Sequence, residues 1–225
     1  MLYHPKQEIF QEKSLRPTNQ KFDLKELVVA SYQAASGAGQ PGIDALRDQI
    51  KRVAGTNAGE VTGDVRTHID DHGPFPAPLA LNVVPFAGSL KEDGWSSEEL
   101  KVRNESRKIL GMPRLKVSAT CVRVPVLTTH SLAVHATFKT VVSRKAAQRV
   151  LDKAPGVVLW DEPENKKFPT PNDVVGTDPT WVGRVRRSFD DDHALDLFMC
   201  GDNLRKGAAL NTAQIAELVA AEFSN

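Results

Sequence analysis

The feature that most constrains the fold is a series of short strand-like stretches separated by single helical ones. Strand patterns lie at 27–32, 116–126, 131–140, 157–160, 182–186 and 194–200. Helical patterns lie at 42–53, 96–110, 143–153 and 207–223. Because 116–126 and 131–140 both alternate in polarity and follow each other closely, we expect them to pair. This order predicts an α+β fold, with a mixed, largely antiparallel sheet and helices on one face.

Two polar segments interrupt this pattern. Residues 1–22 are weakly patterned, and Pro5 and Pro17 are expected to prevent a long helix there. Residues 54–76 are rich in Gly, Asp, His and Pro, which predicts a long surface excursion. Long irregular segments inside compact domains are often functional or mobile.

The charge balance argues against several classes of partner. The chain has 29 Lys and Arg against 28 Asp and Glu, a net charge of +1. This gives no reason to expect nucleic acid or an anionic membrane as partner. No apolar run approaches the roughly 18 residues of a membrane span, and the first residues carry no signal-peptide core. Two cysteines are too few for a disulfide framework, so we expect a cytoplasmic protein.

A first candidate for chemistry is the pair Arg123 and His130. Arg123 and Val122 point to opposite faces of a strand, so Arg123 could enter a cleft while its neighbours pack. Its guanidinium could bind a carboxylate through two parallel hydrogen bonds. His130 follows the strand and could exchange a proton near neutral pH. The spacing alone favours a structural ion pair or surface positions over this role.

A second candidate lies on the helix at 96–110. Ser96 and Glu99 have the spacing of a capping box, so the helix begins there. Glu98 and Lys101 lie three apart and therefore share a helix face. The spacing favours an ordinary solvated pair; the alternative is that Glu98 binds an ammonium and Lys101 a phosphate.

A third candidate is the glycine-containing turn 36–39 after the first strand. Ser36 and Gly37 could expose backbone N–H groups to an anion or a nicotinamide. An ordinary connection between a strand and a helix would have the same composition, and Gln33 just before it is equally ambiguous.

The remaining reactive side chains favour structural roles. Cys121 and Cys200 lie in apolar strands and are expected to be buried packing residues. His68 and His72 lie four apart without a further ligand nearby, so we predict loop histidines and no metal site. No glycine-rich phosphate motif follows the first strand, so no self-contained nucleotide domain is visible.

Several long motifs, in order along the chain, resemble the aspartate-semialdehyde dehydrogenase family, and its actinobacterial forms most. They are SYQAASGAG (31–39), LALNVVPFAGSL (79–90), ESRKILGMP (105–113), TCVRVPV followed by HS (120–131) and GDNLRKGAALNTAQIAEL (201–218). The resemblance covers about residues 15–225. It implies a glyceraldehyde-3-phosphate-dehydrogenase-like C-terminal domain for substrate binding and dimerisation at 23–225, after a poorly matched segment at 1–22.

The resemblance also implies a reaction. The family converts aspartyl phosphate to aspartate semialdehyde with NADPH, on the route to lysine, methionine and threonine. A cysteine thiolate forms a thioacyl intermediate, and the nicotinamide supplies hydride. The related N-acetyl-gamma-glutamyl-phosphate reductases are a weaker match because the run at 201–211 fits the aspartate family better.

By the same resemblance, Arg123 holds the substrate carboxylate and His130 is the general acid/base. Gln33 orients the substrate, Glu98 binds it and Lys101 binds phosphate. In addition, the turn at Ser36 and Gly37 would lie near the nicotinamide, Asn203 would contact the cofactor, and the helix 207–223 would pack towards the cofactor domain.

The sequence departs from the family before this region. The family has a Rossmann domain there and an Asn-Pro-Asn-Cys segment, where this chain reads Tyr3-His4-Pro5-Lys6. A lysine amine cannot replace a thiolate in thioester chemistry. We therefore expect a truncated form that keeps the substrate pocket and dimer surface, binds no NADP and is inactive alone. It would form a homodimer or pair with a full-length subunit; the alternative is a non-catalytic assembly module.

Overall fold

The structure, a computed structural model, describes residues 8–205, with side chains from residue 15 onward. Its centre is a six-stranded sheet in the order β2-β1-β3-β6-β5-β4. The strands are β1 (Leu24–Gln33), β2 (Lys116–Arg123), β3 (His130–Phe138), β4 (Val157–Leu159), β5 (Thr180–Arg187) and β6 (Ala194–Gly201). The β1–β2 and β4–β5 pairs are parallel and the other three are antiparallel, which confirms the predicted mixed sheet.

The expected pairing of β2 with β3 is wrong, because β1 lies between them. Ser31 of β1 is opposite Cys121 of β2 on one side and Leu132 of β3 on the other. The link from β2 to β3 crosses the end of β1, where Val124 N–H donates to the Gln33 carbonyl. Alternating polarity shows which face of a strand is buried but does not identify its neighbours.

The helices are α1 (Glu8–Phe22), α2 (Gln40–Val53), α3 (Ser97–Ile109), α4 (Arg144–Asp152) and α5 (Pro171–Val174). Helix α1 contacts both α3 and α4, and α3 and α4 pack on strands β2 and β5. On β1, Leu27 and Val29 are buried, whereas Val28 and Tyr32 are 45% and 38% exposed. Helices α1, α3 and α4 therefore cover one face of the sheet, and Val28 and Tyr32 lie on the opposite, partly exposed face.

The apolar side chains between this face and the helices form the larger hydrophobic cluster, which we call the sheet core. Among its fully buried members are Leu15, Leu27, Phe138, Leu151 and Leu195.

Helix α1 corrects the expectation that Pro17 prevents a long helix, since it continues through this residue. Proline removes one helical hydrogen bond and disfavours the helix interior. The helix buries Leu15 and Phe22 in the sheet core, with the Phe22 ring 5.8 Å from the Phe138 ring. Burial of these side chains offsets the local cost, because most helical stability in proteins comes from tertiary packing.

A second cluster, which we call the loop core, lies beside α2. Its buried members are Ala35, Leu46, Val53, Ala58, Ile69, Phe75, Leu79, Ala80 and Val84. The excursion 54–76 is irregular apart from a short 3-10 turn at Val65–Thr67, yet it buries Ile69 and Phe75. Buried Gln49 of α2 accepts hydrogen bonds from Leu79 N–H at 2.8 Å and Ala80 N–H at 3.1 Å. These bonds hold the backbone of Leu79 and Ala80, which do not pair with any strand.

The helix expected at 207–223 lies outside the described residues. Within residues 8–205 no helix is both long enough and apolar enough to cross a bilayer.

Candidate functional site

Three predicted site residues meet at one edge of the sheet. Strands β1 and β2 are parallel, and their last residues, Gln33 and Arg123, lie opposite each other. Strand β3 is antiparallel to β1 and begins at His130, so it starts at the same edge. All three side chains are buried. Gln33 and Arg123 are ninety residues apart in the sequence, and the strand order brings them next to each other.

The backbone of Ala34 connects the arginine and the histidine. Its N–H donates to Nδ1 of His130 at 3.1 Å, and its carbonyl accepts from Nη1 of Arg123 at 3.1 Å. Because Nδ1 accepts a hydrogen bond, the neutral His130 ring carries its proton on Nε2.

The position of Gly37 requires a residue without a side chain. A Cβ there would overlap Nη1 of Arg123 and lie 3.1 Å from both Cε1 and Nε2 of His130. The backbone of Gly37 therefore lies directly against both side chains, and the glycine turn predicted from the sequence belongs to the site.

Ser36 and Asn203 lie behind this turn, both fully buried. Nδ2 of Asn203 donates to Oγ of Ser36 at 3.0 Å, and Oδ1 of Asn203 accepts from Thr129 N–H at 2.9 Å. The structure therefore places both residues next to the site, with their side chains bonded to each other. Their predicted cofactor contacts stay predictions.

A cavity of about 550 Å³ opens in front of Arg123 and Gly37. Its wall includes Glu98 of α3 and two aromatic residues of the loop core and its border, Phe75 and Phe86. Neither phenylalanine was predicted from the sequence as a site residue. The available signal was the irregular segment 54–76, whose final part Gly73-Pro74-Phe75-Pro76 lines the cavity.

Helix α3 places Glu98 at the cavity through its predicted capping box. Ser96 N–H donates to Glu99 at 2.8 Å, and Glu99 N–H donates to Ser96 Oγ at 3.3 Å. The same Glu99 carboxylate accepts from Cys121 N–H at 3.1 Å, which joins the start of α3 to β2. Lys101 follows one turn later, with Nζ 3.9 Å from the Glu98 carboxylate.

Burial lowers the pKa of Arg123, and the negative charge of Glu98 opposes that shift. An arginine remains charged even when buried. The cavity wall therefore carries both a fixed positive charge, from Arg123, and a carboxylate, from Glu98. Such an arrangement can bind a small molecule that carries a carboxylate and an ammonium.

Neither cysteine is suited to nucleophilic chemistry, and the prediction that both are buried is confirmed. Burial raises the pKa of the Cys121 thiol to about 11, although a hydrogen bond with Ser31 opposes the shift. Burial also raises the pKa of Cys200 to about 11, against a hydrogen bond with Ser131. Both sulfurs are thus protonated thiols at neutral pH. Within residues 8–205 no group of three or more His, Cys, Asp and Glu residues could hold a metal ion.

The fold and this edge of the sheet define the class of protein. Residues 15–206 match the family model described as "Semialdehyde dehydrogenase, dimerisation domain", and the chain belongs to this family.

The individual relatives are more specific. Aspartate-semialdehyde dehydrogenase of Corynebacterium melassecola is 48% identical over 209 residues, covering 91% of this chain and 59% of the relative. The enzyme of that name from Streptomyces akiyoshiensis is also 48% identical, over 93% of this chain and 61% of its own length. The resemblance inferred from the sequence is thereby confirmed. The chain spans about three fifths of the length of these curated relatives.

Solved structures agree with this assignment. The crystal structure of aspartate semialdehyde dehydrogenase II from Vibrio cholerae has a TM-score of 0.84 and 31% identity, covering 94% of this chain and 59% of that chain. The same Vibrio cholerae protein complexed with ASA has a TM-score of 0.83, covering 93% of this chain and 59% of that chain.

Proposed function

We propose that this chain forms the substrate-binding and dimerisation part of an aspartate-semialdehyde dehydrogenase. The observation that carries the proposal is the convergence of Arg123 and His130 on Gly37, beside a cavity that Glu98 lines. The names of the relatives support it, as does the ASA complex of the Vibrio cholerae enzyme.

The charges of the cavity match those of the substrate. Aspartate semialdehyde carries one carboxylate and one ammonium on the same carbon. Arg123 in the cavity wall binds the carboxylate, and Glu98 in the same wall binds the ammonium. Lys101, next to Glu98, binds the phosphate of the acyl phosphate or the inorganic phosphate of the reverse reaction.

His130 is the general acid/base. Its neutral ring offers the Nε2 proton on the side of Gly37, because Nδ1 is already bonded to Ala34 N–H. Gln33 ends the neighbouring strand, where its Nε2 donates to Ser31 Oγ at 3.1 Å, and orients the substrate.

The covalent step needs a thiol that these cysteines do not supply. Thioester formation requires a thiolate, and both sulfurs of this chain are buried with a pKa of about 11. We therefore expect the 225 residues alone to be inactive. The nucleophile would come from another part of the protein or from another chain.

The turn at Gly37 fits a bound nicotinamide. Gly37 and Ala38 line the cavity, so the backbone of this turn faces a ligand bound there, and the missing Cβ lets that backbone lie directly against Arg123 and His130. When bound, NADP would supply the hydride chemistry, held partly by this turn and partly by groups that these 225 residues do not supply. Ser36 and Asn203 would support the turn from behind.

The partly exposed face of the sheet is the proposed dimer surface. Tyr32 is partly exposed there beside Phe198, with ring centroids 6.2 Å apart, and Val28 lies on the same face of β1. The name of the family model supports this assignment. Tyr32→Glu should convert a dimer to a monomer in analytical ultracentrifugation. Val83→Glu, at an exposed position outside the sheet, should not.

The function is tested by measuring NADPH formation from aspartate semialdehyde, NADP and phosphate. The chain is assayed alone and after fusion to the N-terminal part of the Corynebacterium melassecola relative. We expect no activity alone and activity in the fusion. His130→Ala should abolish that activity, whereas His193→Ala, at a partly exposed position, should leave it unchanged.

Two outcomes would contradict the proposal. Activity of the isolated chain would show that the thiol argument is wrong. An inactive fusion, together with binding of this chain to a full-length subunit, would instead favour a non-catalytic assembly module.

A further inference from the structure

We propose that Asn203 is a positioning residue for His130, and that it acts by holding the strained backbone of Thr129. The inference rests on the proposed role of His130 and adds a function for a side chain that does not reach the cavity wall. Asn203 bridges Ser36 and Thr129, the residue that precedes His130.

Thr129 has an unfavourable backbone conformation. Its φ is +86°, and among the six non-glycine residues with positive φ in the described chain it alone has a β-branched side chain. Such a conformation is strained for a β-branched residue and persists only where surrounding contacts impose it. The strain therefore lies immediately before the proposed acid/base.

The contact that holds this conformation comes from Asn203. Thr129 N–H donates to Oδ1 of Asn203 at 2.9 Å. The Thr129 hydroxyl is buried and has no hydrogen-bond partner among the described residues, so it does not stabilise the conformation. In a regular sheet, a backbone N–H donates to a carbonyl of the neighbouring strand. Oδ1 of Asn203 takes the place of that carbonyl for the Thr129 N–H.

The orientation of Asn203 is set by the same turn that contacts His130. Asn203 Nδ2 donates to Ser36 Oγ at 3.0 Å, and Ser36 N–H donates to the Leu127 carbonyl at 3.0 Å. Two residues before Ser36, Ala34 N–H donates to His130 Nδ1. The turn therefore holds the His130 ring directly on one side and its backbone through Asn203 and Thr129 on the other.

This arrangement makes Asn203 and Thr129 interdependent. Glycine adopts a φ of +86° without steric cost, so Thr129→Gly removes the strain. If Asn203 acts by stabilising this strained conformation, Asn203→Ala should have a much smaller effect on His130 in the Thr129→Gly background. A side chain that only fills space would show no such dependence.

The test is a two-bond ¹H–¹⁵N correlation spectrum of the ¹⁵N-histidine-labelled chain, which reports the tautomer of His130. We expect one signal pattern with the proton on Nε2 in the unaltered chain. Asn203→Ala should give a mixture of tautomers, and Asn203→Asp, which keeps an acceptor, should restore the original pattern. Asn165→Ala, at an exposed position, is the control. The double change Thr129→Gly with Asn203→Ala should resemble Thr129→Gly alone.

Unchanged His130 signals in a folded Asn203→Ala chain would overturn the proposal. So would an Asn203→Ala effect that is equally large with and without the Thr129→Gly change. If Asn203→Ala does not fold, Ser36→Ala provides the test instead. It removes the Ser36 hydroxyl that orients the Asn203 side chain and keeps Asn203 itself. It should shift the tautomer ratio in the same direction, and no shift would overturn the proposal.

The active fusion separates this inference from the proposed function. There, Asn203→Ala should lower kcat about tenfold while KM changes less than about twofold, because misplacing a proton-transfer group affects the chemical step. A tautomer change in an inactive fusion would refute the function and leave the positioning role intact.

Discussion

The sheet core and the loop core reach similar burial by different means. In the sheet core, apolar side chains alternate along strands or repeat along helices, and the backbone bonds to its neighbours in the sheet. In the loop core, most of the buried members come from residues 54–86, which touch the sheet through a single bridge between Val84 and Arg123, and the Gln49 side chain bonds the backbone of Leu79 and Ala80. The cavity lies between the two.

The two cores contribute differently to the site. The strands of the sheet and the capped helix α3 position the charged groups Arg123, His130 and Glu98. The irregular segment contributes shape, through side chains such as Phe75. We therefore expect the sheet core to set the global free energy of unfolding. The loop core should open locally at lower free energy, since few backbone groups there are paired in regular structure.

The largest effect is expected from Phe138→Ala. Phe138 is buried in the sheet core against Phe22, so its removal leaves a cavity and should cost about 3–5 kcal/mol of the free energy of unfolding. Urea denaturation measures this loss. Phe189→Ala is the matched control, because Phe189 is fully exposed and its loss should be nearly neutral. Equal losses would show that the sheet core does not dominate stability.

The next effect is a loss of stability at alkaline pH. The Cys121 thiol has a pKa of about 11 in the folded chain against an ordinary 9.0, so the unfolded chain loses its proton first as the pH rises. Stability should be unaffected by this thiol below pH 9.0 and should fall by about 2–3 kcal/mol up to pH 11.

Urea denaturation across this pH range measures the loss, and Cys121→Ala should remove its share of the pH dependence. Cys200 adds a similar contribution with the same sign. A pH profile that is the same with and without Cys121 would contradict the burial of this thiol.

Gln49→Ala should affect mainly the loop core. It leaves two buried backbone N–H groups, of Leu79 and Ala80, without their acceptor, which should cost about 2 kcal/mol. Hydrogen exchange should speed up at these two amides while the amides of β1 and β3 stay protected. Gln40→Ala is the control, because Gln40 is exposed and its side chain donates to the exposed Asp44 on the same helix. Uniform acceleration across the sheet would refute local opening.

The smallest effect is expected from Lys101→Met at the border of the site. Its ion pair with Glu98 is 3.9 Å long, and both side chains are about a quarter exposed. Such pairs contribute little, so the free energy of unfolding should change by less than about 0.5 kcal/mol. In the active fusion the same variant should raise the KM for phosphate. A large loss of stability would make Lys101 a structural residue.

The sequence by itself determined the features that depend on neighbouring residues. Ser96 and Glu99 start α3 through contacts three residues apart, and the structure confirms this capping box. The apolar surroundings of Cys121 predicted its burial. The roles of Arg123 and His130 required the family resemblance, because residue spacing alone left structural alternatives open.

Only the tertiary structure decided which distant segments become neighbours. It inserted β1 between β2 and β3, and it brought Asn203 against Ser36 across 167 residues. It also continued α1 through Pro17 by burying Leu15. These outcomes depend on the total free energy of packing, which compares many distant contacts at once. The local sequence pattern contains only the helix or strand propensity of each segment and the face that the segment buries.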